Sequence, residues 1–95
     1  MTDKRNFINE VEQQIDTRNG EIVKFRVIAE VAEPDDQIEF YQIIEEIVEK
    51  ENVVKEKLAA FAESDAADQA SLKNEIGDLQ QQVEEAIEAA RLKIN

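Results

Sequence analysis

Several residue types on which enzymes and metal sites depend are missing from this chain. It has no cysteine, which excludes disulfides, thiolate metal sites and thiol nucleophiles. It also has no histidine, the side chain that most often transfers protons near neutral pH and the commonest transition-metal ligand. Ser64 and Ser71 have no histidine to activate them, and there is no glycine-rich phosphate loop. We therefore expect no enzymatic activity and no bound cofactor or metal.

Long apolar segments are missing too. No run approaches the 18 or more apolar residues of a membrane-spanning helix, and the start of the chain lacks the pattern of a signal peptide. The 95 residues are enough for one domain with a thin core. We expect a single soluble domain over residues 1–95, in the cytoplasm by default.

Basic residues are few. The chain has 23 acidic and 11 basic residues, for a net charge of −12. This charge repels nucleic-acid backbones and anionic lipid surfaces, so we expect neither as a direct partner. The first third of the chain is much less acidic than the rest, which predicts a charge polarised along the sequence.

A central helix is predicted over residues 35–62. Apolar residues recur there at three- and four-residue steps, the spacing that forms a stripe along one side of an α-helix. Pro34 suits the first turn because its missing N–H would be unpaired there anyway. The apolar arc of the first half is about 220° wide, too wide for one neighbouring helix. We expect part of it to form an interaction surface: Ile38, Tyr41, Ile43 and Val48.

A last helix is predicted over residues 66–94. Ser64 or Asp65 is a good N-cap for it. The link between the two helices is only two or three residues long, so the helices should be antiparallel neighbours, a helical hairpin of the kind found in many coiled-coil proteins. The apolar stripe of this helix is about 100° wide, as expected when one side is buried.

The N-terminal third is predicted to be a β-hairpin over residues 6–31. Thr17 to Gly20 are poor helix formers that end in Asn-Gly, a strong turn signal. After this turn every second residue is apolar, the period of a half-buried strand: Val23, Phe25, Val27, Ala29 and Val31. The predicted fold is thus mainly α with a small β element, a hairpin packed on two long helices.

Two other interpretations of this third stay open. Residues 3–16 also show helical spacing, so a helix capped by Gly20 could precede the strand. Alternatively, one helix could run through to Glu33 and give an all-α three-helix bundle. The apolar spacing supports that bundle, interrupted only by Arg18, but Gly20 would cost about 1 kcal/mol inside a helix.

Clustered carboxylates are expected to face water. Glu45, Glu46 and Glu49 lie opposite the apolar stripe of the central helix, and without histidine they do not match a di-iron carboxylate site. Glu51 falls within that stripe. We expect it either to reach outward to solvent or to pair with Lys55, with a polar contact that sets the register of an oligomer as the alternative.

The one concentration of basic residues suggests an anion patch made of Arg18, Lys24 and Arg26. Ion pairs of these residues with Glu10 and Glu12 are the simpler explanation of the same pattern. A ligand at this patch would be a nucleotide or another anion.

Three hypotheses for function follow. The first is a non-catalytic protein–protein interaction or assembly module, a small acidic homo-oligomer, because the apolar arc is wide for so small a chain. The second is an acidic inhibitor that mimics nucleic acid and blocks the basic surface of another protein. The third is an anion or nucleotide binder at a subunit junction.

Overall fold

The chain folds into three long antiparallel helices. The structure, a computed structural model, describes residues 2–94. Helix α1 spans Thr2–Glu30, α2 spans Pro34–Glu63 and α3 spans Ala66–Lys93. The bundle measures 50 × 18 × 17 Å. None of the helices in residues 2–94 is long and apolar enough to cross a membrane.

The predicted N-terminal β-hairpin over residues 6–31 is wrong. Residues 2–94 contain no strand, and the whole of this segment up to Glu30 is helical. The continuous helix of the three-helix bundle is therefore the correct alternative, although it ends at Glu30 and not at Glu33. The helix followed by a strand is excluded as well.

The alternation that predicted a strand comes from two helical stripes. One stripe is buried and contains Ile22, Phe25 and Ala29. The other is exposed and contains Val23, Val27 and Val31, at steps of four residues. Overlaid in the sequence, the two stripes place an apolar residue at every second position, which imitates the period of a strand.

Gly20 makes neither a turn nor a helix cap. No glycine in the described part of the chain has a positive φ, so the backbone conformation that favours glycine is not used there. The neighbouring Thr17 hydroxyl donates a hydrogen bond to the carbonyl oxygen of Gln13 at 3.0 Å, which occupies the side chain without breaking the helix. Packing of the buried stripe outweighs the poor propensity of this segment.

The link between α1 and α2 is fixed by backbone and side-chain hydrogen bonds. The N–H groups of Val31 and Ala32 donate to carbonyl oxygens three residues earlier, which tightens the end of α1. Pro34 occupies the first turn of α2 and disfavours a helical conformation for the residue before it. The Gln37 side chain donates to the carbonyl oxygen of Glu30 at 3.0 Å, which brings the start of α2 against the end of α1.

The link between α2 and α3 lies at the other end of the bundle. Asp65 is the N-cap of α3, as the sequence predicted, and its side chain accepts a hydrogen bond from the N–H of Asp68. Lys4 donates to the carbonyl oxygen of Ser64 at 2.8 Å. Phe7 and Phe61 pack with ring centroids 4.8 Å apart. These contacts join the start of α1 to the end of α2.

The core runs the full length of the bundle. All three helices contribute buried apolar side chains, and their burial supplies the main driving force for folding. The core residues are Val11, Ile15, Ile22, Phe25, Ala29, Ile44, Ile47, Val54, Leu58, Phe61, Ile76, Val83, Ile87, Ala90 and Ile94.

Replacing Gly20 by alanine should stabilise the protein. Gly20 lies inside α1, and an added Cβ would have no heavy atom within 4 Å. We expect a gain of up to about 1 kcal/mol in the free energy of unfolding, because alanine is the better helix former. Chemical denaturation followed by circular dichroism measures it.

Gly77→Ala is the matched reference for this measurement. Gly77 lies inside α3, and a Cβ there is equally unobstructed. The two variants should gain similar stability. A destabilised Gly20→Ala protein beside a stabilised Gly77→Ala protein would contradict the continuous helix.

Candidate functional site

A buried ion pair joins α1 to α2 near the middle of the bundle. Arg18 is only 3% exposed and Glu51 only 2%. The Arg18 Nη2 and Nε groups donate to Glu51 Oε1 at 2.7 Å and to Oε2 at 2.8 Å. Two parallel hydrogen bonds of this kind hold a guanidinium and a carboxylate in one plane. The pair fixes the relative position of α1 and α2.

Helix α3 completes this polar cluster. Arg18 Nη2 also donates to Gln80 Oε1 at 3.1 Å, and Nη1 lies 3.4 Å from Glu84 Oε1. Burial alone would lower the pKa of Arg18, but hydrogen bonds and charge from Glu51, and then from Glu84, raise the pKa above its ordinary value. Within residues 2–94 no buried side-chain nitrogen or oxygen lacks a hydrogen-bond partner. The cluster is closed, and its role is structural.

The expectation for Glu51 is therefore wrong. Its carboxylate neither reaches solvent nor pairs with Lys55, because it binds Arg18 across the helix interface. Lys24 and Arg26, the other two residues of the predicted anion patch, are exposed. The structure thus separates them from the buried Arg18, and an anion would have to displace Glu51 to reach its guanidinium.

The clustered glutamates lie where the sequence predicted. Glu45, Glu46 and Glu49 are exposed on α2. Among residues 2–94 no group of three or more acidic side chains is arranged to hold a metal ion. These carboxylates cover the sides of the bundle that face away from the core.

Surface ion pairs connect α3 to both of its neighbours. Across the α2–α3 seam, Lys57 pairs with Glu75 at 2.8 Å and Lys93 with Glu39 at 3.1 Å. Across the α1–α3 seam, Arg91 pairs with Glu21 at 3.2 Å. No exposed ion pair crosses the α1–α2 seam in the part of the chain that the structure describes.

The α1–α2 seam holds an open groove of about 630 Å³. Its lining is mostly apolar, with four polar side chains along it. The groove is lined by Ile8, Ile15, Leu58, Ala59 and Ala62 together with Glu12, Asp16, Asn19 and Lys55.

The same side of the bundle continues beyond the groove toward the α1–α2 link. Val23 is 11 residues after Glu12, about three turns, and Tyr41 is 18 residues before Ala59, about five turns. Val23 therefore lies on the same side of α1 as Glu12, and Tyr41 lies on the same side of α2 as Ala59. Val23 is 59% exposed and Tyr41 is 37% exposed. We call this surface the α1–α2 face. It consists of the groove residues together with Val23, Tyr41 and Val48.

The four predicted interaction residues fall in different places. Tyr41 lies on the α1–α2 face, and the half-buried Val48 lies about two turns before Lys55 on the same side. Ile43 lines the groove between α2 and α3. Ile38 is 65% exposed and points away from the core. The structure brings only two of the four onto one face.

Sequence reasoning missed the contribution of α1 to this face. Val23 and Val27 match the period of a strand, and that interpretation hides the fact that both lie on one side of a helix. The signal was present in the four-residue spacing of Val23, Val27 and Val31. It would have indicated an apolar stripe on the outer side of α1.

Removing one member of the buried ion pair should strongly destabilise the fold. Arg18→Met leaves the Glu51 carboxylate buried without its hydrogen-bond donors. We expect a loss of about 3 to 5 kcal/mol in the free energy of unfolding, measured in urea. The double variant Arg18→Met/Glu51→Leu should recover most of that loss, because no charge remains in the core.

Arg91→Met is the control for this experiment. It also removes an arginine that bridges two helices, but from an exposed pair with Glu21. Its effect on stability should be much smaller, because water screens exposed pairs. The structural role of Arg18 would be refuted if both arginine variants were equally stable.

Comparisons with models of protein families, with curated proteins and with solved structures found no match to this chain.

Proposed function

We propose that this chain is a non-catalytic interaction and assembly module that associates with other copies of itself through the α1–α2 face. The observation that carries the proposal is the exposure of apolar side chains along this face, with Val23 59% and Tyr41 37% exposed. Val27, one turn after Val23 on α1, is 56% exposed as well. Contiguous exposed apolar surface is typical of sites where proteins associate.

The other two seams are less suited to this role. Ion pairs from α3 bridge both of them at the surface, and a partner would have to break those pairs to reach the apolar side chains below. The α1–α2 seam has no such exposed bridge within residues 2–94. A partner can therefore contact the apolar side chains of its groove without breaking an ion pair.

The charge distribution favours the same face. The α1–α2 face contains Glu12 and Asp16 but also Lys55, whereas the outer side of α2 presents Glu45 and Glu49 to solvent. Two copies with a net charge of −12 each repel one another in general. Association is least opposed where acidic and basic side chains are mixed.

Binding, and not catalysis, is proposed because of the side chains that the sequence contains. Without histidine or cysteine, the residues that most often act as bases and nucleophiles are missing. Arg18 is occupied by Glu51, Gln80 and Glu84.

The mass in solution tests the proposal. At tens of micromolar, light scattering should give a multiple of the 10.9 kDa chain mass. Val23→Glu should shift the protein toward the monomer, because it places a charge in the apolar part of the interface. Val53→Glu is the matched control, since Val53 is also an exposed valine, 37% exposed, but lies off the α1–α2 face.

Two results would overturn the proposal. One is a strictly monomeric wild-type protein at this concentration. The other is an equal loss of association in the Val23→Glu and Val53→Glu variants, which would place the contact elsewhere.

A further inference from the structure

We infer that the partner on the α1–α2 face is a second copy related by a two-fold axis parallel to the helices, so that α1 of each copy packs on α2 of the other. This inference rests on the proposed function and deepens it.

The charges on the face are complementary between helices. Glu12 and Asp16 lie on the α1 side of the groove, and Lys55 lies on the α2 side. None of the three forms an ion pair within residues 2–94. At the level of the groove the face thus carries negative charge on α1 and positive charge on α2. Arg26, two turns after Asn19 on the same side of α1, is also exposed, but it lies nearer the α1–α2 link, at the level of Tyr41.

A two-fold axis parallel to the helices brings these opposite charges together at two places in the dimer. It exchanges α1 with α2 and keeps every residue at its own level. Glu12 and Asp16 of each copy then meet Lys55 of the other, and the same pairing occurs in both directions, as an isologous interface requires. Opposite charges in such positions favour one arrangement over its alternatives.

The apolar residues match under the same operation. The hydrogen bond from Gln37 to Glu30 places the first turns of α2 level with the last turns of α1. Tyr41, one turn after Gln37, is therefore close in level to Val27 and Val23. At the other end, Ile8 of one copy reaches the level of Ala59 and Ala62 of the other, where small side chains leave room for it.

The area is sufficient for a stable dimer. One long side of a body of 50 × 18 Å covers about 900 Å², close to the ~800 Å² per partner of a standard interface. The two copies would place α1 and α2 of each chain in a central four-helix layer, with packing like that of a four-helix bundle. Helix α3 would lie outside on both sides.

Other two-fold axes do not give these pairs. An axis within the interface but perpendicular to the helices packs α1 on α1 and α2 on α2. Lys55 would then face α2 of the second copy and lie apart from Glu12 and Asp16. Cross-linking between single cysteines placed on α1 and on α2 distinguishes the two arrangements, because the natural chain contains no cysteine.

The experiment first compares two charge-reversal variants by sedimentation equilibrium. Lys55→Glu should weaken self-association at least tenfold, and Glu12→Lys/Asp16→Lys should do the same, because each puts like charges together twice in the homodimer. Single cysteines then show which helices face each other. An oxidised mixture of Glu12→Cys and Lys55→Cys should give a disulfide-linked dimer on a denaturing gel, because the two positions lie at the same level on α1 of one copy and α2 of the other. The perpendicular axis keeps these positions apart and predicts no such cross-link.

Two controls carry the same changes of charge elsewhere. Lys24→Glu reverses an exposed lysine on α1 that lies off the face, and Asp78→Lys/Glu85→Lys reverses two exposed acidic residues on α3. Neither control should weaken association by more than a few-fold. Circular dichroism melting checks that every variant folds.

The outcomes separate this inference from the proposed function. A wild-type oligomer whose association falls no more in the face variants than in the controls, or whose Glu12→Cys and Lys55→Cys variants form no cross-link when mixed, overturns the two-fold arrangement and leaves self-association standing. A monomeric wild-type protein overturns both. A cross-link that forms in the mixture, and in neither cysteine variant alone, supports the arrangement.

Discussion

The buried ion pair between Arg18 and Glu51 is the constraint on which the rest of the bundle depends. Both groups are almost fully buried, and a charge without its partner in such a place costs several kcal/mol. If α1 slid along α2 by one turn, Arg18 would lose Glu51 and would have to find another acceptor in the core. The apolar stripes alone would tolerate such a shift far better, because one apolar side chain can replace another of similar volume.

The same cluster determines where α3 lies. Gln80 and Glu84 approach the remaining donors of the Arg18 guanidinium, so α3 must be placed with these residues at the level of the pair. Exposed ion pairs near the two ends of α3 then bridge to α2 and α1. As a result α3 is bridged by surface ion pairs to both neighbours, whereas α1 and α2 meet through their buried residues. The open groove lies along the seam that these exposed ion pairs do not cross.

Helix α1 has apolar residues on two sides. Its inner side contributes Ile15, Ile22 and Phe25 to the core. Its outer side carries Val23 and Val27, and Val31 follows directly after its end; no part of the described chain covers them. Burial in the core of one chain explains the inner stripe but not the outer one. The outer stripe, beside the groove, is the feature that the proposed self-association explains.

Much of this architecture follows from the sequence alone. The three- and four-residue spacing of apolar residues over 35–62 predicted a helix, and Pro34 and the pair Ser64 and Asp65 predicted where two helices begin. The lack of cysteine and histidine restricted the chemistry. Each of these predictions depends on local geometry or on side-chain identity. The N-terminal third was different. Its two superimposed helical stripes also match the period of a strand, and Gly20 carries a turn signal that only the packing of α1 on α2 overrides.

The role of Glu51 depended on Arg18, 33 residues away. Only the tertiary structure could decide it, because the partner of a buried charge is set by which helices pack together and in which register.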